Sequence, residues 1–443
     1  MIGIYMFGAA LVLLAVGYPV AFSFGAVSIV FGAIAAHAEI IGDGGTYIEF
    51  YEEFLSMFSM MPYRIYSIMT NTILMAVPLF IFMGIVLQKS HLAERLLEAM
   101  GSLFGSVRGG VAISTVIVGT MLAASTGVVG ASVVAMGVIS LPVMLKYGYD
   151  KPLACGTICA SGTLGQIIPP SIILIILADV FGLPVGDLFK AAVIPSLMLV
   201  GSYIAYILFI SYLKPELAPA IPVDNSISKK QRMITALKAI IPPLSLIVVV
   251  LGSIFAGIAT PTESASVGAI GSLFLAMLYK EFSIKLSMEA AKETVKITAM
   301  VFAILIGATA FSLVFVYTGA DSIVEEFMLG LPGEKWGFLI LSMLIILFLG
   351  FFIDFIEISY IVVPILLPIS EAIGINPVWF AILIAMNLQT SFLTPPFGFS
   401  LFYLKGVAKN IKTTEIYKGV IPFILIQIFV LASIVVFPSF YGF

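Results

Sequence analysis

Residues 141–170 read LPVMLKYGYDKPLACGTICASGTLGQIIPP, and residues 367–396 read LPISEAIGINPVWFAILIAMNLQTSFLTPP. A shift of 226 positions puts Leu141 on Leu367, Pro142 on Pro368, Gly148 on Gly374 and Pro169-Pro170 on Pro395-Pro396. Each copy starts as an apolar helix, breaks at small and polar residues with a proline pair, and resumes. Proline ends one half-helix because it has no N–H to donate, and it fits the first turn of the next. Lipid cannot satisfy the N–H and C=O groups freed at such a break, so protein or a bound species must.

Composition makes a bilayer the setting. Of 443 residues, 61% are hydrophobic and 10% charged, with a mean hydropathy of +1.17; soluble domains carry about a quarter charged residues. The expected class is an all-α polytopic membrane protein embedded in a lipid bilayer. No hydrophilic block leaves room for a soluble catalytic or nucleotide-binding domain, no Gly-rich phosphate loop precedes a lysine, and nothing points to nucleic acid. Cys155 and Cys159 share an apolar segment, which argues against a disulfide framework. Met1–Val16 lacks a basic start and a cleavage site, so it reads as a retained helix.

Spans of roughly 20 apolar residues are expected near 2–16, 18–36, 66–87, 152–178, 190–213, 240–258, 262–279, 295–318, 377–404 and 417–440. Two apolar stretches, 110–145 and 336–369, are too long for one span and too short for two with a loop. They are interrupted at Ser125-Thr126-Gly127 and between Gly350 and Asp354. Each suits a re-entrant helical hairpin, two short spans being the alternative. Amphipathic pieces near 45–62, 89–105, 281–294 and 320–333 read as interfacial arms.

Orientation follows from Lys and Arg. The loop 37–63 carries Glu39, Asp43, Glu49, Glu52 and Glu53 and no basic residue until Arg64, so it is placed outside. Alternation with both hairpins re-entrant leaves only Arg64, Lys190 and Lys335 outside, and the other 18 of 21 basic residues on the cytoplasmic side. Both termini then come out periplasmic. The chain divides into a repeat over 1–213, a cytoplasmic connector over 214–239, and a second repeat of opposite topology over 240–443. Pro215, Pro219 and Pro222 mark the connector as a surface linker. Inverted repeats with broken helices point to alternating-access transport.

Polar residues at the breaks suit that reading. The first break offers Ser161-Gly162-Thr163 before Pro169 and Pro170; the second offers Asn387, Gln389, Thr390, Ser391 and Thr394 before Pro395 and Pro396. Hydroxyl, amide and unwound carbonyl oxygens suit a hard cation such as Na+, and the half-helix N-termini suit a carboxylate. Gly130 and Ser132 read as packing residues. Asp354 and Glu357 are carboxylates deep in an apolar stretch, a functional hypothesis by default; a tip that reached the interface would leave both solvated, a reading that suits Glu357 better. Glu263 reads as a helix-start residue. His37 and His91 fall at opposite membrane ends and form no site.

GTLGQIIPPS (162–171), VPLFIFMG (77–84), the tip at Ser125-Thr126-Gly127, GIATPTESA (257–265) and NLQTSFLTPPFGFSLFYLKG (387–406) resemble the large membrane subunit (DctM-like) of tripartite ATP-independent periplasmic (TRAP) transporters. The resemblance runs essentially full length. It implies an elevator-type permease of the ion-transporter superfamily in the bacterial inner membrane. It further implies Na+ as the coupling ion with no other cofactor, an organic-acid substrate, a small four-helix membrane subunit and a periplasmic substrate-binding protein. By position it puts one cation site at Ser125, Gly127, Ser161, Gly162 and Thr163, and its counterpart at Gly350, Asp354, Thr390, Ser391 and Thr394. Substrate would meet Ser125, Thr126, Asp354, Asn387, Gln389 and Thr390. Many relatives carry a Ser-Gly-Ser-Ser tip, so Ser125-Thr126-Gly127-Val128 here has fewer hydroxyls. The alternatives are a stand-alone dicarboxylate transporter of the same superfamily and, from another class, a membrane-embedded enzyme.

Overall fold

A computed structural model describes residues 1–42, 44–221 and 228–443. Asp43 of the acidic loop and Pro222 of the connector lie outside the described residues. Among those described, every regular element is helical, and seven helices are long and apolar enough to cross a membrane. Large side chains such as Phe22, Phe209, Val248 and Phe429 stand exposed on them, a surface that lipid accepts and water would not.

The chain forms two compact units, each drawn from both halves of the sequence: Met1–Leu74 with Lys296–Pro377, and Met75–Val295 with Val378–Phe443. In the first unit, helices Ile2–Val16 and Val20–Ala36 pack with the end of Ile284–Tyr317 through edge-on Phe24–Phe311 rings 5.1 Å apart. Gly307 lies against the backbone of Ala21, where a Cβ would sit 2.7 Å from the carbonyl oxygen. The Tyr317 hydroxyl lies 2.7 Å from both Glu39 and Glu53, so part of the acidic loop is tied to a helix end. The same unit holds the second hairpin: Lys335–Leu349, a link at Gly350–Asp354, the short helix Phe355–Glu357, a π-helical turn Ile358–Val362, and Val363–Ala372.

The second unit holds the first hairpin and both broken helices. Gly110–Thr126 ends at Gly127, whose φ of 62° is a left-handed cap that glycine adopts without a Cβ penalty. The returning limb is Val129–Lys146. At the hairpin base the Tyr149 hydroxyl accepts from the Val111 N–H at 3.2 Å. The closing helix Thr413–Val436 crosses Lys151–Thr163 where Gly419 and Gly156 let the backbones touch. Glu263 does sit in the first turn of its helix, in a capping box with Thr260.

Four sequence expectations are corrected. The span expected over 66–87 is two helices, Met61–Thr70 and Ala76–Lys89, because the Asn71 side chain accepts from the Ile73 and Leu74 N–H groups and turns the chain. The arm near 281–294 and the span 295–318 are one 34-residue helix, Ile284–Tyr317, since nothing between them breaks the backbone. The span near 240–258 starts earlier, at Lys229. The start of the connector is a strap rather than a free surface linker. Leu217 O accepts from Asp150 N–H, Ala218 O from Gly109 N–H, and Ile221 N–H donates to Gly105 O at 2.7 Å, with Ala218 fully buried.

Gly419→Val would push a side chain into the Pro152 backbone, an overpacking that costs about 1–3 kcal/mol or more. Purified protein carrying it should melt well below the parent, whereas Gly201→Val, which meets open space, should melt near it. Equal melting of the two variants would mean the crossing is looser than described.

Candidate transport site

The first break is assembled from its backbone outward. Asp150 caps Lys151–Thr163 by accepting from Leu153 N–H, and a 3-10 turn Leu164–Gln166 follows. The bond Pro169-Pro170 is cis, and the chain restarts as Ile172–Phe181. Ser171 both caps the new half-helix at Leu174 N–H and donates across the break to Gln166 O at 2.5 Å. Ser196 donates to Ile167 O at 3.1 Å.

The second break repeats this plan. Pro377–Leu393 stops, Pro395-Pro396 is again cis, and Phe399–Val407 follows. Ser400 donates across the break to Phe392 O at 2.8 Å. Phe392 stands 226 residues beyond Gln166, the same shift that aligns the proline pairs. Tyr417 donates to Pro396 O at 2.8 Å. At Gly398 a Cβ would lie 2.7 Å from Phe392 O, so this turn needs glycine.

The first hairpin touches both restarted half-helices. A Cβ on Gly127 would lie 2.9 Å from Ile172, and one on Gly130 would lie 2.9 Å from the Tyr403 ring. On its outgoing limb, a Cβ on Gly119 would meet Ser161 Oγ at 2.6 Å. The tip itself is seated by Gly84, where a Cβ would come 2.5 Å from Ser125 O and into the Thr126 backbone. Within the tip, the Thr126 and Ser132 hydroxyls pair at 2.8 Å.

The hydroxyls of the first hairpin tip and of both breaks share an orientation. Ser125 donates to Leu122 O, Ser161 to Ile158 O and Thr163 to Ala160 O. In the second break Thr390 donates to Met386 O, Ser391 to Leu388 O and Thr394 to Thr390 O. Each proton is thus spent on the residue's own helix, and the oxygen keeps lone pairs to offer. Ser161, Thr163 and Ser391 are fully buried, and Ser125, Thr126, Asn387 and Thr390 nearly so. Among the described residues no three His, Cys, Asp or Glu side chains gather as a metal cluster. Neutral oxygens of this kind favour a hard monovalent cation.

The structure therefore brings Ser125, Thr126, Gly127, Ser161, Gly162 and Thr163 into one unit with Asn387, Gln389, Thr390, Ser391 and Thr394. Gly350 and Asp354 belong to the other unit. There Asp354 caps Phe355–Glu357 and is half-buried, with Oδ1 accepting from Phe355 N–H at 2.7 Å. Glu357, the carboxylate expected to be the better solvated, is the more buried, at 3% exposure, and its Oε2 meets no hydrogen-bond donor. Sequence reasoning missed Gly84, Ser196 and Ser400. Gly84 was quoted within VPLFIFMG, but only the fold reveals that the tip leans on it.

The family model of the tripartite ATP-independent periplasmic transporter, DctM component, matches residues 7–440. The chain belongs to this family. It is 32% identical over 381 residues to the C4-dicarboxylate TRAP transporter large permease protein DctM of Rhodobacter capsulatus, covering 83% of this chain and 85% of that protein. It is 29% identical over 371 residues to the sialic acid TRAP transporter large permease protein SiaM of Vibrio cholerae, covering 84% and 85%. In fold it is similar to the YdaH transporter of Alcanivorax borkumensis, with a TM-score of 0.61 over 88% of this chain and 90% of that one at 13% identity. The permease is a multi-pass transport protein and not an enzyme, which disposes of the rival membrane-enzyme reading. Family membership also implies a substrate-binding protein as partner.

Because Gly84 leaves no room for a methyl group, Gly84→Ala should displace the hairpin tip. A displacement on the scale of an ångström in a positioning element costs on the order of tenfold to a hundredfold in rate. Uptake should fall by that order while the amount in the membrane stays unchanged; parental uptake would show that the tip has slack.

Proposed function

We propose that this chain is the permease of a Na+-coupled organic-acid importer of the bacterial inner membrane, working by elevator-type alternating access. The observation that carries the reading is the shared orientation of the break hydroxyls. With their protons committed to helix carbonyls, Ser125, Ser161, Thr163, Thr390, Ser391 and Thr394 can only offer lone pairs, which suits Na+ and repels an anion. The anion has its own donors nearby, at the N-termini of Ile172–Phe181 and Phe399–Val407, where backbone N–H groups and the helix dipole favour a carboxylate. Bound Na+ then lowers the cost of bringing a carboxylate into an apolar layer, and so couples the two.

The repeats over 1–213 and 240–443 have opposite topology, both termini are periplasmic, and the first hairpin travels with both broken helices. Thr126, Asn387 and Gln389 contact substrate. A periplasmic binding protein delivers the acid, and a small four-helix membrane subunit completes the complex. Relatives named for C4-dicarboxylates and for sialic acid support an acid as cargo without choosing one.

Proteoliposomes holding the permease, its small subunit and its binding protein test this with a radiolabelled C4-dicarboxylate, sugar acid and keto acid. One of them should accumulate under an inward Na+ gradient, with no uptake under a K+ gradient or without the binding protein. Thr390→Val combined with Ser391→Ala should raise the Na+ concentration for half-maximal uptake by about fivefold or more, the factor for roughly 1 kcal/mol of lost ligation. Uptake indifferent to the cation would remove Na+ coupling from the account.

A further inference from the structure

Outside the residues already assigned to the site, one buried polar group stands out in the second unit. Tyr203, on Val185–Leu213, is fully buried, and its hydroxyl accepts from Gln427 Nε2 at 2.8 Å. Gln427 lies on Thr413–Val436 and is also fully buried. The other side-chain neighbour of the same hydroxyl is Gln389, on Pro377–Leu393, the half-helix that ends at the second break. Both polar atoms of Gln389 and Oε1 of Gln427 are buried without a hydrogen bond of good geometry. Two buried amides from two other helices thus converge on one hydroxyl in the apolar interior.

Such a node is costly unless it does something. A buried amide without a partner loses several kcal/mol relative to water, and apolar residues of similar volume would pack there without that cost. The Tyr203 hydroxyl accepts from Gln427 Nε2, and it is the polar neighbour that the otherwise unpartnered Gln389 amide has in this layer. The result is a polar node in which the Gln427–Tyr203 hydrogen bond fixes the hydroxyl beside the Gln389 amide. The same half-helix is pegged once more near its start, where Trp379 Nε1 donates to Ile434 O at 3.1 Å. Gln389 stands ten residues further on, about 15 Å along the helix.

We infer that Tyr203 and Gln427 are positioning residues for the second break, acting through Gln389. Successive helical residues are separated by a fixed rotation of about 100°, so holding Gln389 fixes the direction in which Thr390, Ser391 and Thr394 point. The inference rests on the Na+ site proposed above and adds to it two residues that touch neither ion nor substrate. It also gives Gln389 a second role beside substrate contact, as the handle by which the break is aimed.

Tyr203→Phe is the sharpest probe, because it keeps the ring, which meets Phe423 edge-on at 5.1 Å, and removes only the hydroxyl. In the reconstituted complex it should raise the Na+ concentration for half-maximal uptake by about fivefold, the value of roughly 1 kcal/mol, with maximal rate and membrane content near parental. Gln427→Met should shift it in the same direction. Tyr203→Phe combined with Gln389→Leu should be no worse than Gln389→Leu alone, as expected for residues acting as one unit. Phe423→Leu, which disturbs packing alone, should lower the melting temperature and leave the Na+ dependence in place. Multiplied effects in the double variant overturn the inference, as does unchanged Na+ dependence in Tyr203→Phe when Gln389→Leu is impaired. Parental uptake that ignores Na+ altogether would sink the underlying Na+ site as well, which tells the two failures apart.

Discussion

A helix that stops inside an apolar layer leaves carbonyls that lipid cannot meet, and that constraint shapes the second unit. Ser171 and Ser400 meet it from the restarted half-helices, each donating across its own break to acceptors 226 residues apart, Gln166 and Phe392. Ser196 and Tyr417 add a bond from a neighbouring helix in each case. Because these carbonyls are satisfied from within, the breaks are stable as breaks. The hydroxyls of Ser161, Thr163, Thr390 and Ser391 are then left to present their oxygens to a guest.

Glycine does the complementary work of bringing the parts close. Gly84 seats the hairpin tip, Gly127 and Gly130 lay the hairpin on the two half-helices, and Gly156 with Gly419 lets the closing helix press on the first broken helix. In membranes, where lipid is as apolar as leucine, close backbone approach replaces the hydrophobic effect as the main source of helix association. The strap at Leu217–Ile221 adds hydrogen bonds at the base of the first hairpin. The hairpin is therefore held at tip, limb and base.

Much of this was legible because breaks leave strong signals. Helix ends fall at the Ser-Thr-Gly tip, at the Gly-to-Asp link and at both proline pairs, the four interruptions that stand out in the sequence. The missed features depend on side chains folding back or meeting from afar. Asn71 ends a helix with its own amide, in a stretch whose hydropathy runs on unbroken. Nothing between 284 and 317 marks a helix end, and there is none. The depth of Glu357 relative to Asp354 follows from which of them caps a helix and which faces inward, a matter of register that spacing alone leaves open. Tyr203 and Gln427 are lone polar residues in apolar spans more than 200 positions apart; each looked ordinary until they met.

The claim beneath all of this is that the permease itself holds Na+ at oxygens of its broken helices. Equilibrium binding of radioactive Na+ to the purified chain, without substrate or partners, tests it most directly. Binding should saturate, resist competition by an equal concentration of K+, and weaken in a variant lacking the Thr390 and Ser391 hydroxyls. Absence of saturable binding, or displacement by K+ as readily as by unlabelled Na+, would contradict it.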